Sequence, residues 1–193
     1  MRKLIVQMQM SLDGFVSAGP NDEQKWVTWA LSDIHDDVLR ISDHIDTILI
    51  GRKLALDYIP FWEETLKQLD HEMIAFAQRI VAAKKVVFTK TMDHSIWNNT
   101  AIATGDLKKE VMALKNQPGK DMIVYGGVTL VASLLKEALI DEINLFINPV
   151  VIGRGESVFS TIEGFQQLNL VSSKVYPSGI ILNTYTPAER IGR

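Results

Sequence analysis

The chain has 193 residues, with 20 basic and 23 acidic side chains for a net charge of −3, 47% hydrophobic residues, six prolines and no cysteine. That length and balance predict one globular domain with a sizeable core, and the missing cysteine excludes disulfides, thiolate metal sites, iron–sulfur clusters and a cysteine nucleophile. A mildly acidic chain without a Lys/Arg run also lacks the electrostatic footprint of a nucleic-acid binder.

The N-terminal stretch Leu4–Met10 is apolar but is interrupted by Gln7 and Gln9, which does not make a secretory h-region, and no apolar run is long enough to cross a bilayer. The expectation is therefore a cytoplasmic protein with no membrane partner. Lys3–Met10 reads as a strand closed by the turn residues Ser11-Leu12-Asp13-Gly14, followed by a loop containing Gly19-Pro20-Asn21-Asp22. Val27, Leu31, Ile34, Val38 and Ile41 then recur at helical spacing and predict one helix. Thr47–Ile50 is a short strand ending at Gly51-Arg52, Asp70–Ala82 is helical in pattern, and Lys85–Thr89 is a strand. Ala101–Ala103 reads as a brief strand, 106–115 as a helix capped by Thr104 or Asp106, Met122–Tyr125 as a buried strand ending at Gly126-Gly127, and Val128–Ala138 as a helix. The period changes thereafter: Glu142–Asn148, Gln167–Val175 and Ile180–Thr186 read as strands, the last two joined by a hairpin turn at Pro177-Ser178-Gly179. Alternating strands and helices followed by a hairpin predict a mainly parallel sheet covered on both faces, with antiparallel strands at the end; the domain spans 1–188 and 189–193 form a tail.

Most catalytic signatures fail. Gly14 to Gly19 has phosphate-loop spacing but Pro20 stands where lysine is required, no G-x-G-x-x-G or G-x-S-x-G is present, and the four histidines are too scattered for a metal site. What remains are glycines and cations at strand ends. Gly126-Gly127, before a helix at Val128 and Thr129, either cradles an anion at the helix N-terminus or serves only as a tight turn. Gly51, Arg52 and Lys53 add two charges after another strand, and Thr89, Lys90 and Thr91 add hydroxyls and a charge after a third. Three such ends favour a ligand with several phosphates, a dinucleotide. On the first helix Trp26, Trp29, Asp33, Asp37 and Arg40 form a second stripe; the tryptophans either line a pocket for a flat heterocycle or pack under the Gly19–Gln24 loop or a subunit contact.

In order, Ser11-Leu12-Asp13-Gly14, Ile48-Leu49-Ile50-Gly51-Arg52, Lys85-Val86-Val87-Phe88-Thr89, Ile123-Val124-Tyr125-Gly126-Gly127 and Pro149-Val150-Val151-Ile152-Gly153-Arg154-Gly155 span nearly the whole chain. This set resembles the dihydrofolate reductase-like superfamily, and specifically the reductase domain at the C-terminal end of the bifunctional riboflavin-biosynthesis deaminase/reductase. The resemblance implies a three-layer α/β/α fold and an NADPH-dependent reductase acting on a small nitrogen heterocycle or its attached sugar, in the manner of 5-amino-6-(5-phosphoribosylamino)uracil reductase. The alternatives on the same fold are a dihydrofolate or pterin reductase and a non-catalytic nucleotide- or flavin-binding protein. It implies that Gly51, Arg52 and Lys53, then Gly126, Gly127, Val128 and Thr129, hold the cofactor's phosphates, that Thr89, Lys90 and Thr91 meet the 2′-phosphate, and that Gln9 and Val16 lie near the nicotinamide. It further implies a cis peptide between the two glycines, a first-helix proton donor, Asp33 or alternatively Asp37, and a homodimer. Leu54 departs from the family, which commonly has threonine there.

Overall fold

The computed structural model describes residues 1–19 and 22–188; Pro20 and Asn21 of the expected loop and the expected tail 189–193 lie outside the described residues. Among the described residues eight strands form one sheet: β1 (Leu4–Ser11), β2 (Ile45–Gly51), β3 (Lys84–Phe88), β4 (Thr100–Ala103), β5 (Asp121–Gly126), β6 (Glu142–Asn148), β7 (Leu168–Val175) and β8 (Ile181–Pro187). Their order is β4-β3-β2-β5-β1-β6-β8-β7. Pairing is parallel from β4 through β6 and antiparallel for β6–β8 and β7–β8. The central strands are buried on both faces, which is why they read as continuous apolar runs rather than alternating ones.

Among the described residues there are six helices, α1 (Lys25–Thr28), α2 (Leu31–Ser42), α3 (Arg52–Thr65), α4 (Ile74–Ala82), α5 (Leu107–Lys115) and α6 (Val128–Lys136), of which all but α1 bury side chains. Ile34, Val38 and Ile41 of α2 and Phe76 and Ile80 of α4 pack on Ile5, Ile48 and Ile123 of one sheet face, with Ala55 and Ile59 of α3 beside them on Ile50 and Val87. Val111 and Leu114 of α5 and Leu130, Val131 and Leu134 of α6 pack on Val6, Leu49 and Val124 of the other. The result is the expected three-layer α/β/α architecture. None of the described helices is long and apolar enough to cross a membrane.

Three local expectations are corrected. The single first helix is two, because Ala30 leaves helical dihedrals (φ −131°, ψ 38°) and breaks the stripe after Trp29. The helix expected from Asp70 starts only at Ile74, after a turn in which His71 Nδ1 accepts from the Met73 N–H. Helix α3 was not anticipated at all, since Pro60 lies inside it. Proline costs an interior helix about 3 kcal/mol, and burial of Ala55 and Ile59 against the sheet supports α3 in spite of it. By contrast α5 starts as expected, the Asp106 carboxylate accepting from the Lys109 N–H at 3.0 Å.

Candidate active site

The site begins where β2 and β5, neighbours in the sheet, each turn into a helix at glycine. Their turns touch backbone to backbone: a Cβ on Gly127 would stand 3.3 Å from Gly51 Cα and 3.4 Å from Gly51 N. Gly127 also has φ 76°, a conformation that side chains other than glycine's seldom adopt. Leu54 fills the space above the first glycine, its Cδ2 lying 2.9 Å from where a Gly126 Cβ would be. No side chain caps either α3 or α6, so two helix N-termini present free N–H groups and the positive ends of their dipoles side by side. No cis peptide is present among the described residues; the Gly126–Gly127 bond is trans, against the expectation drawn from the resemblance.

The third strand end is β3. Thr91 N–H donates to Thr89 Oγ1 at 3.1 Å, and the two threonine hydroxyls lie 3.3 Å apart. Lys90 reaches across to the loop before α5, where its ammonium donates to the Thr104 and Gly105 carbonyls, the latter at 2.8 Å. This fixes a positive charge at the rim beside the two helix ends.

The β1 end explains why two separate motifs travel together. The Asp13 carboxylate accepts from the Ile152 and Gly153 N–H groups at 3.2 and 2.7 Å, and Ser11 Oγ accepts from Phe15 N–H at 2.9 Å. Beyond them Ser17 and Glu156 form an antiparallel bridge, and a Cβ on Gly155 would lie 2.1 Å from the Ser17 carbonyl oxygen. The Ser-Leu-Asp-Gly turn and the glycine-rich segment after Pro149 are thus one clasp, which carries Val16 to the site. Gln9 Oε1 accepts from Asn148 Nδ2 at 2.8 Å, and the fully buried Asn148 accepts in turn from Trp29 Nε1 at 3.1 Å.

All of these ends open on one cavity of about 1670 Å³, and its walls include every residue the sequence assigned to a cofactor: Gln9, Val16, Gly51–Lys53, Thr89–Thr91 and Gly126–Thr129. A single small ligand takes roughly 300–1,000 Å³, so the space suits a dinucleotide with a second molecule beside it.

The first-helix assignments do not join them. Asp33, Asp37, Trp26 and Trp29 are not among the cavity's walls. The Asp33 carboxylate accepts from Ser178 N–H at 2.7 Å, in the β7–β8 turn. Asp37 is buried under the same hairpin and accepts from the Tyr176 hydroxyl at 2.6 Å, from Arg40 at 2.8 Å and from Lys174. Burial alone would raise its pKa, but those hydrogen bonds outweigh it and hold the carboxyl at about 2. It is therefore ionised at neutral pH and has no proton to give. Trp26 Nε1 donates to Asp22 at 3.0 Å, which pins the loop below it, and the Trp29 ring is half exposed. Both tryptophans thus spend their indole N–H groups on anchoring contacts, and neither lines the cavity.

Sequence reasoning missed the other half of the cavity. Tyr58 and Trp62 of α3, Phe76 of α4 and Tyr125 at the end of β5 form an aromatic cluster on the α2–α3–α4 side: Tyr58 stacks on Tyr125 (centroids 5.8 Å apart, planes at 28°), and Trp62 meets Phe76 edge-on at 4.9 Å. The Tyr58 and Tyr125 hydroxyls, Trp62 Nε1 and Gln7 Oε1 are buried without a hydrogen-bond partner. Burial pushes both phenols up, Tyr58 further through its neighbour Tyr125, so they stay protonated donors at neutral pH. The signal was present in the i, i+4 spacing of Tyr58 and Trp62, but it is readable only once α3 is known to be a helix.

The model of the RibD C-terminal domain family matches residues 2–182. The Bacillus subtilis (strain 168) protein YyaP is 33% identical over 189 residues, covering 95% of this chain and 94% of its own. Among solved structures, the diaminohydroxyphosphoribosylaminopyrimidine deaminase/5-amino-6-(5-phosphoribosylamino)uracil reductase of Thermotoga maritima superposes with a TM-score of 0.70 at 17% identity, over 97% of this chain and 57% of that one. The Enterococcus faecalis dihydrofolate reductase, solved with NADP(H), superposes with a TM-score of 0.57 at 14% identity, over 97% of both chains. At those identities the likeness to the two structures is one of fold.

Proposed function

This chain belongs to the RibD C-terminal domain family, and from that premise we propose that it is an NADPH-dependent reductase delivering a hydride to a small nitrogen heterocycle or its attached sugar. The observation that carries the reading is the abutting pair of glycine turns. A Cβ on Gly127 would press to 3.3 Å from Gly51 Cα at a φ of 76° that favours glycine, and no side chain caps the two helix N-termini beside it, which is the form a pyrophosphate cradle takes. Arg52 and Lys53 supply charge to that cradle, and Lys90, with the hydroxyls of Thr89 and Thr91, forms a separate cationic rim suited to the extra phosphate that distinguishes NADPH from NADH. The neighbour solved with NADP(H) and the neighbour named as a reductase agree with this choice.

When bound, the cofactor supplies the hydride. The chain's own residues do the rest: the glycine turns and Arg52 position the phosphates, Gln9, held by Asn148, and Val16 border the reacting ring, and the clasp between Asp13 and the Ile152–Gly153 backbone shuts water from that end. No nucleophile is required.

The test is titration of the purified protein with NADPH and with NADH, followed by nucleotide fluorescence. NADPH should bind, and more tightly than NADH. Arg52→Glu should weaken NADPH by about 1–3 kcal/mol, the value of a charge-assisted contact replaced by repulsion. Unchanged affinity in that variant would move the cofactor elsewhere.

A further inference from the structure

The aromatic half of the cavity has a chemical character of its own. Gln7 and Tyr125 lie side by side on one sheet face: Ile5 of β1 is in register with Ile123 of β5, both pack in the α2–α4 core layer, and each of the two residues follows its partner by two positions. Gln7 is only 8% exposed, yet its Oε1 has no partner. Two phenol donors join it from the aromatic cluster, the buried hydroxyls of Tyr58 and Tyr125, and the buried indole N–H of Trp62 faces the Tyr58 oxygen; none of the three makes a full hydrogen bond within the protein. Buried polar atoms are almost always paired; four unpaired ones around one cavity mark a place built for the polar edge of a ligand. The set offers one acceptor and two phenol donors, the complement of a ring amide that presents an N–H next to a carbonyl with its two lone pairs.

Charge is distributed just as unevenly. Among the described residues lining the cavity, the lysine and arginine side chains are Arg52, Lys53 and Lys90, all at the ends of β2 and β3. Tyr58 and Trp62 lie six and ten residues further along α3, about 9 and 15 Å down its axis from Arg52. His71, at the rim of this half, spends Nδ1 as an acceptor from the Met73 N–H, and Glu72 and Asp57 add negative charge to the same walls.

We propose that Gln7, Tyr58, Trp62 and Tyr125 form the acceptor's subsite, and that it takes an uncharged, unphosphorylated planar heterocycle with a lactam edge, in place of a phosphoribosyl-bearing one. Gln7 Oε1 receives the ring N–H, the two phenols donate to the two lone pairs of the adjacent carbonyl, the Trp62 indole N–H supports the Tyr58 oxygen, and the ring lies against the aromatic cluster. The inference rests on the reductase reading above and specifies its substrate class.

Riboflavin and its 5′-phosphate, FMN, carry the same lactam edge and differ by one phosphate, so they serve as probes. With the protein saturated with NADP⁺, quenching of flavin fluorescence should report riboflavin binding at least about tenfold tighter than FMN. Gln7→Leu and Tyr125→Phe, which keep the volume of the side chains they replace, should each weaken riboflavin about tenfold, while NADPH affinity, read separately, stays within about twofold. FMN binding as tightly as riboflavin, or no riboflavin binding by a protein that does bind NADPH, would overturn the inference and leave the reductase reading standing. A parallel loss of NADPH affinity in the variants would assign the subsite to the cofactor's own ring. A wild-type protein that binds no NADPH would remove both readings.

Discussion

Replacing Asp37 by asparagine separates an anchoring carboxylate from a catalytic one. Asp37 fastens α2 to the C-terminal hairpin through Tyr176, Lys174 and Arg40, and its carboxyl sits at about 2 instead of the ordinary 3.8. At about 1.4 kcal/mol per factor of ten in acidity, that depression corresponds to roughly 2.5 kcal/mol of folding stability. Because the folded value lies below the unfolded one, this contribution is complete above about pH 4 and is lost as the pH falls through about 2. Asp37→Asn should therefore lower stability at pH 7 by about 2 kcal/mol, or roughly 4–8 °C in Tm for a chain of this size, by urea unfolding and calorimetry. It should also flatten the acid limb of the stability curve between about pH 4 and 2. NADPH affinity should not move, since Asp37 is not among the walls of the cavity. A variant as stable as wild type at pH 7 but devoid of turnover would refute this assignment and restore Asp37 as a proton donor.

Gly155→Ala should open the clasp, because its Cβ would lie 2.1 Å from a backbone oxygen that cannot yield without moving Ser17; a loss of about 1–2 kcal/mol and faster amide exchange at Val16 and Glu156 are expected, and unchanged protection would contradict it. We propose that the homodimer forms along β7, an edge strand whose Leu170, Val171 and Val175 are more than half exposed. Unprotected apolar edges pair readily, so sedimentation should show a dimer that Val171→Lys converts to monomer; a wild-type monomer would end that proposal. Gly127→Ala, forced against Gly51 at 3.3 Å with φ 76°, should reduce NADPH affinity at least tenfold with little change for flavin probes.

Strands and glycine turns were legible because their causes are local. A parallel strand buried on both faces must be continuously apolar, and the turn from β5 into α6, at positive φ and packed against the end of β2, favours glycine; so β1, β2, β5, β6 and the turn at Gly127 follow from composition and spacing. The chemistry of the first helix was not legible, because a carboxylate's role depends on what it faces. Asp33 and Asp37 meet Ser178 and Tyr176, residues 145 and 139 positions away, and only strand order brings that hairpin over α2. The aromatic half of the cavity was hidden for a related reason: Pro60 argues locally against the helix that presents Tyr58 and Trp62, and burial against the sheet overrules it. Local backbone requirements could be read residue by residue, whereas the partners of buried polar groups had to wait for the fold, since a hydrogen bond or an ion pair belongs to two residues that the sequence does not place together.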